Sequence, residues 1–237
     1  MIISILLVLL IIYVVFYTYF EYFLKKQVID FSPKEFISKI IDDLKMETKV
    51  DYDTSSFYNV ENNEIFFKIG DTLNNLFSGL HEFGHAFIDI YDKFNVFDKN
   101  NNYSISNISN NSFYYENKEY EKNINQDKYL NPYLYVILKY SPIVTLLLTI
   151  FRLDYANTIL SFINIVYSFI GFIFFFLLIK EEYQASKIGY EIIKHENILN
   201  KKQINYCLIY YILSFTSYVI LPIVCLSIFI YNIYLFI

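Results

Sequence analysis

Three histidines occur in the 237-residue chain, and two of them stand four residues apart in the run His81-Glu82-Phe83-Gly84-His85. On an α-helix, residues at this spacing lie one turn apart on the same face, so both imidazoles can reach one metal ion. Glu82, one residue on from His81, can reach a water on that ion without being a ligand itself. Zinc in such a site lowers the pKa of water toward about 7, and a neighbouring carboxylate can take the proton as the water attacks a carbonyl. The same carboxylate can then deliver the proton to a leaving amine. The spacing points to metal-assisted hydrolysis, with His81 and His85 as ligands and Glu82 as general base.

A third protein ligand is needed. Positions 88 and 91 are Ile and Tyr, which excludes the three-histidine extension HExxHxxGxxH. The candidates are Asp89, Glu116, Glu181, Glu182 and His195. Glu182 is the best placed by local pattern, because it opens Glu182-Tyr183-Gln184-Ala185-Ser186 just beyond an apolar run. A helix continuing out of that run would set its carboxylate against the motif helix. Ala185 would permit close packing, and Ser186, one turn on, could hydrogen-bond a ligand. Taken alone, Glu182 reads equally well as a solvated interfacial carboxylate.

The elements that must position these groups are partly legible. Over residues 32–46 the pattern predicts an amphipathic helix, with Ser32 as N-cap, Pro33 at the first turn and Glu35 completing a capping box. Two strand-like runs, 56–60 and 64–69, flank Asn62-Asn63, which predicts a tight hairpin since Asn tolerates positive φ. Asp71 is the expected cap of a motif helix over about 72–91. Residues 92–131 are crowded with Asn, Ser, Lys, Glu and Tyr and show no sustained period, as expected of an insertion. Asn102, Asn107 and Asn110 each open an N-x-S triplet there, as an Asn- and Ser-rich tract does by chance.

Composition supplies the setting. The chain is 55% apolar and 21% aromatic with only 18% charged residues, an excess explained by runs long enough to cross a bilayer. A net charge of -5 leaves no broad basic surface, which argues against nucleic acid as a partner. Residues 2–20 read as a retained signal-anchor helix, with Lys25 and Lys26 placing its C-terminal end in the cytoplasm. Further apolar runs cover 133–151, 155–179 and about 206–237, the last with Pro222 as a potential kink. Arg152-Leu153-Asp154 alone separates the second and third, which therefore form a helical hairpin. Lys180, Lys187, Lys194, Lys201 and Lys202 follow on the side the positive-inside rule assigns to the cytoplasm. Cys207 and Cys225, 18 residues apart in one apolar run, would be separated by roughly 27 Å on a helix and cannot pair there.

These features together resemble the YugP-type neutral zinc metallopeptidases, membrane-bound and distantly like the HtpX and CAAX prenyl protease zincins. The resemblance covers most of the chain. It rests on the N-terminal span, the short capped helix, the strand region, the H-E-x-G-H-A motif at 81–86, a hydrophobic hairpin and the E-[FY]-x-A-S segment at 182–186. It implies Glu182 as third zinc ligand and gives His195 no counterpart. The expected fold is mainly α: an integral membrane protein with about four transmembrane helices and a small zincin-like α+β cytoplasmic part. The expected organisation is an anchor over 1–24, a zincin-like part over 25–91, the insertion over 92–131, a transmembrane hairpin over 132–180, a cytoplasmic segment with the third ligand over 181–204, and a C-terminal span over 205–237. The expected activity is hydrolysis of peptide bonds in peptides or membrane proteins, with Zn2+ as cofactor, in a bacterial cell membrane and facing the cytoplasm. By analogy with related zincins, residues 64–69 could bind the peptide by strand addition, although Phe57, Tyr58, Phe66 and Phe67 there read more readily as ordinary core. The competing readings are a site-2-type intramembrane protease and an inactive zinc-binding scaffold.

Overall fold

The computed structural model of the protein describes residues 2–93, 137–151 and 158–236. The insertion from residue 94 onward, with Glu116 and the N-x-S triplets, lies outside the described residues, as do the first residues of the 133–151 run and the Arg152-Leu153-Asp154 turn. The described chain is mainly helical with one small sheet. In order it forms α1 (Ile2–Lys25), α2 (Pro33–Asp43), β1 (Lys49–Tyr52), β2 (Phe57–Asn59), β3 (Glu64–Phe67), α3 (Leu73–Lys93), α4 (Ser141–Phe151), α5 (Thr158–Glu196) and α6 (Lys201–Phe236). It divides into two compact units, one comprising Ile12–Ser112 and Lys180–Phe215, the other Met1–Ile11, Phe113–Ile179 and Thr216–Ile237.

The first of these units carries the motif. Helix α2 starts as its sequence predicts: the Ser32 side chain accepts from the Glu35 backbone N–H, and Pro33 occupies the first turn. Its Ile37, Ile40 and Ile41 are buried. The expected hairpin forms between β2 and β3, with Tyr58 opposite Ile65 and Asn59 opposite Glu64. Asn63 adopts a positive φ of 53°, and the Asn59 side chain accepts from the Glu61 and Asn62 backbones. Along β3, Ile65 and Phe67 are fully buried while Glu64 and Phe66 are not, the alternation of a half-buried strand.

A third strand, β1, pairs parallel to β3 and was not expected from the sequence. Asn63 ties the two together, its amide donating to the Glu47 carbonyl at 2.7 Å and its carbonyl accepting from Thr48 at 3.0 Å. The strand order is therefore β1-β3-β2, with β3 in the centre. This excludes the strand-addition role weighed for residues 64–69 and leaves β3 as core. Both edges of β3 are already hydrogen-bonded, so it cannot accept an added strand.

Helix α3 lays Leu73, Leu76, Phe77, Leu80, Phe83 and Phe87 into the core at the spacing of one helical face. Its N-cap is Thr72, whose hydroxyl accepts from the Asn75 N–H at 3.3 Å. Asp71, the expected cap, instead uses its backbone carbonyl to accept from Ile29. Helix α5 ends where Asn197 turns to a φ of 52°. Helix α6 opens with a reciprocal cap: the Asn200 side chain accepts from the Gln203 N–H and the Gln203 side chain from the Asn200 N–H.

In the other unit, polar side chains are buried among apolar ones. Asn164 donates to the Thr149 hydroxyl at 2.9 Å, and Asn232 donates to the same hydroxyl at 3.4 Å. These bonds tie α5 and α6 to α4 through one shared hydroxyl. Among the described residues, two helical stretches are long and apolar enough to cross a membrane, Ser161–Glu196 and Lys201–Tyr234. Pro222 sits inside α6 without ending it. Cys207 and Cys225 are both free and buried.

The cap assignment is testable. Thr72→Ala is expected to cost about 1 kcal/mol, the usual worth of an N-cap, and Asp71→Ala less. Unfolding midpoints in detergent solution would measure both, and a larger effect at Asp71 would return the cap to that residue.

Candidate metal centre

The site is assembled by α3 and α5. On α3, His81 and His85 present their rings at 4.8 Å between centroids and at right angles, with their Nε2 atoms 3.2 Å apart. Helix α5 approaches at Gly84. A Cβ at that position would lie 2.4 Å from the Ala185 carbonyl oxygen and 2.7 Å from its Cα, so the two backbones are in contact. This approach sets Glu182 one turn before Ala185 and Ser186 directly after it, against the two histidines.

The Glu182 Oε2 atom lies 3.1 Å from His81 Nε2 and 3.6 Å from His85 Nε2. With the histidine pair, these distances close a triangle of two nitrogens and one oxygen. A tetrahedral ion with bonds of about 2.0–2.1 Å holds its ligand atoms roughly 3.3–3.4 Å apart. The triangle has that size, and three ligands leave a fourth position open. His81, His85 and Glu182 therefore form a group able to hold a metal ion.

The outward nitrogens are also engaged. His81 Nδ1 lies 3.1 Å from the Ser186 hydroxyl, and His85 Nδ1 lies 3.3 Å from Glu181 Oε1. Ser186 thus takes the place its spacing predicts, beside a histidine and away from the triangle. The Tyr211 hydroxyl donates to the Phe77 carbonyl at 2.8 Å, and its ring lies 6.3 Å from that of His81. A Cβ on Gly189 would fall 2.5 Å from that hydroxyl.

Glu82 lies beside the triangle. Burial raises its pKa above the ordinary carboxylate value, the positive charge of His81 and His85 pulls it down, Glu182 pushes it up, and the Tyr58 backbone favours the charged form. Burial also disfavours the His85 imidazolium, but hydrogen bonds to Glu181 and Glu182, with the charges of Glu182 and Glu82, outweigh it and hold the pKa up at about 10. The site is an anionic environment that favours a cation.

The remaining candidates go elsewhere. Asp89 accepts from the Tyr58 hydroxyl at 3.1 Å, and His195 is exposed beside Glu196 at 3.3 Å. Sequence reasoning weighed Glu181 only as a potential ligand and assigned no role to Gly84 or Tyr211. An adjacent pair of acids and a glycine inside the motif were the only signals. Comparisons with protein-family models, with curated proteins and with solved structures find no match.

The close approach at Gly84 carries a prediction. Gly84→Ala must push the α5 backbone away, at a cost of about 1–3 kcal/mol for overpacking, and should weaken metal binding about tenfold or more. Chelator competition on the purified protein reads this. Unchanged affinity would show that the interhelical spacing does not set the triangle.

Proposed function

We propose that the protein is an integral-membrane zinc peptidase. The observation that carries this reading is the His81, His85 and Glu182 triangle with Glu82 beside it. Two imidazoles, one carboxylate and an open fourth position are the donor set of catalytic zinc sites. Zinc, when bound, supplies Lewis acidity that makes water acidic near neutral pH and polarises a carbonyl. Glu82, its pKa raised by burial, takes the proton from the attacking water and returns it to the amine nitrogen as the peptide bond breaks. His81, His85 and Glu182 would hold the ion, and Ser186 steadies His81.

The chain's setting in this proposal is a membrane crossed four times, with the N-terminus outside and the metal centre facing the cytoplasm. The lysines at 25, 26, 180, 187, 194, 201 and 202 support that orientation. The substrates are peptides or exposed segments of membrane proteins, and the location is a bacterial cell membrane. Membership of the YugP-type family belongs to the same proposal and rests on the 81–86 and 182–186 motifs. The packing of α3 on the sheet, where Gly79 meets Phe67, favours this reading over an intramembrane protease of the site-2 type.

Two experiments test it. Glu82→Gln is expected to lower cleavage of a generic peptide about 10²–10⁴-fold, the usual worth of a general base, with zinc content unchanged, whereas His85→Ala loses the zinc. Bound zinc with no cleavage by the wild type would favour the inactive scaffold instead. For sidedness, a reporter placed within residues 100–125 should register the cytoplasm, and an external signal would reverse the topology.

A further inference from the structure

Helix α5 directs two consecutive carboxylates at one imidazole. Glu182 Oε2 lies 3.6 Å from His85 Nε2, while Glu181 Oε1 lies 3.3 Å from His85 Nδ1. Neighbouring residues on a helix point in different directions, so both reach the same residue only because its ring stands between them. We propose that Glu181 is a positioning residue that fixes His85 in the tautomer a metal ligand requires. This inference rests on the reading of His81, His85 and Glu182 as a zinc site.

A neutral imidazole carries its hydrogen on one nitrogen and a lone pair on the other. His85 can bind an ion through Nε2 only when the hydrogen sits on Nδ1. An ionised carboxylate has no hydrogen to give, so Glu181 beside Nδ1 can only accept, and it demands that tautomer. The Ser186 hydroxyl beside His81 Nδ1 is different, because a hydroxyl can donate or accept and tolerates either tautomer. The two histidines are thus held by unlike means: His81 by a buried, adaptable hydroxyl and His85 by a committed acceptor.

Exposure separates this role from a structural one. The Glu181 side chain is 56% exposed, against 9% for Glu182. A carboxylate so open to water adds little to folding through its ion pair. Its loss should register at the metal and leave the stability of the protein alone. Outer partners of metal-bound histidines are worth about 10–100-fold in affinity.

The test uses the full chain in detergent, with zinc alone as the probe. Zinc affinity is measured by competition with a chromophoric chelator for wild type, Glu181→Ala and Glu181→Gln, alongside unfolding midpoints without added metal. Glu181→Ala is expected to bind zinc about 10–100-fold more weakly with its midpoint unmoved. Glu181→Gln, whose amide oxygen still accepts from Nδ1, should recover most of that loss. Wild-type affinity in Glu181→Ala overturns the inference while leaving the zinc site intact. Equal weakening in both variants also overturns it, by assigning the effect to negative charge rather than to the hydrogen bond. A wild type that takes up no zinc overturns the metal reading itself, and this inference with it.

Discussion

The centre depends on a contact in which no functional group takes part. Helices α3 and α5 meet at Gly84 and Ala185 with backbone against backbone, an approach that a larger side chain at Gly84 would hold apart. Ligands on two helices converge only if the helices are near enough for short side chains to span the gap. Phe83 and Phe87 on α3, and Ile188 and Ile192 on α5, are buried and add the apolar cohesion that keeps the two together. The polar triangle is thus an outcome of apolar packing around one missing side chain.

A second consequence concerns charge. Glu82, Glu181 and Glu182 gather around two imidazoles, and the upward shift of His85 to about 10 records how strongly that environment favours positive charge. Burying carboxylates is costly unless they are paired, and the histidines supply the pairing. Tyr211 and Tyr58 complete the surroundings without adding charge. One braces α3 through the Phe77 carbonyl, and the other gives its hydroxyl to Asp89 or Asn63.

Local features of the fold were legible in the sequence and distant ones were not. The α2 cap, the β2–β3 hairpin and the α3 face arise from neighbours in the chain, and their residues announce them. Thr72 and Asp71 are adjacent and equally able to cap, so only the backbone path decides between them. The strand β1 is short and carries Lys49 and Asp51, an edge-strand composition, and its partner β3 is reached only after β2 has intervened. Missing it made β3 look like an edge. At the site, His81 and His85 follow from motif spacing and Ser186 from a single helical turn, whereas Glu182 is one of five candidates, favoured by local pattern and singled out by the family resemblance. The division of labour between Glu181 and Glu182 does not follow from spacing, because two adjacent acids look alike until a ring stands between them.

Glycine acquires an unusual meaning in this chain. There are five in 237 residues, and at each a Cβ would come within 3.2 Å of a neighbouring heavy atom. A composition so rich in Asn, Ile, Lys, Tyr and Phe leaves little glycine to spare for ornament. What remains works as a register of contacts: Gly84 records where α3 and α5 touch, and Gly189 where Tyr211 comes in beside them. In a sequence of this kind a glycine tells which elements are neighbours, and the position usually written as a free letter inside HExxH is among the least free of the described residues.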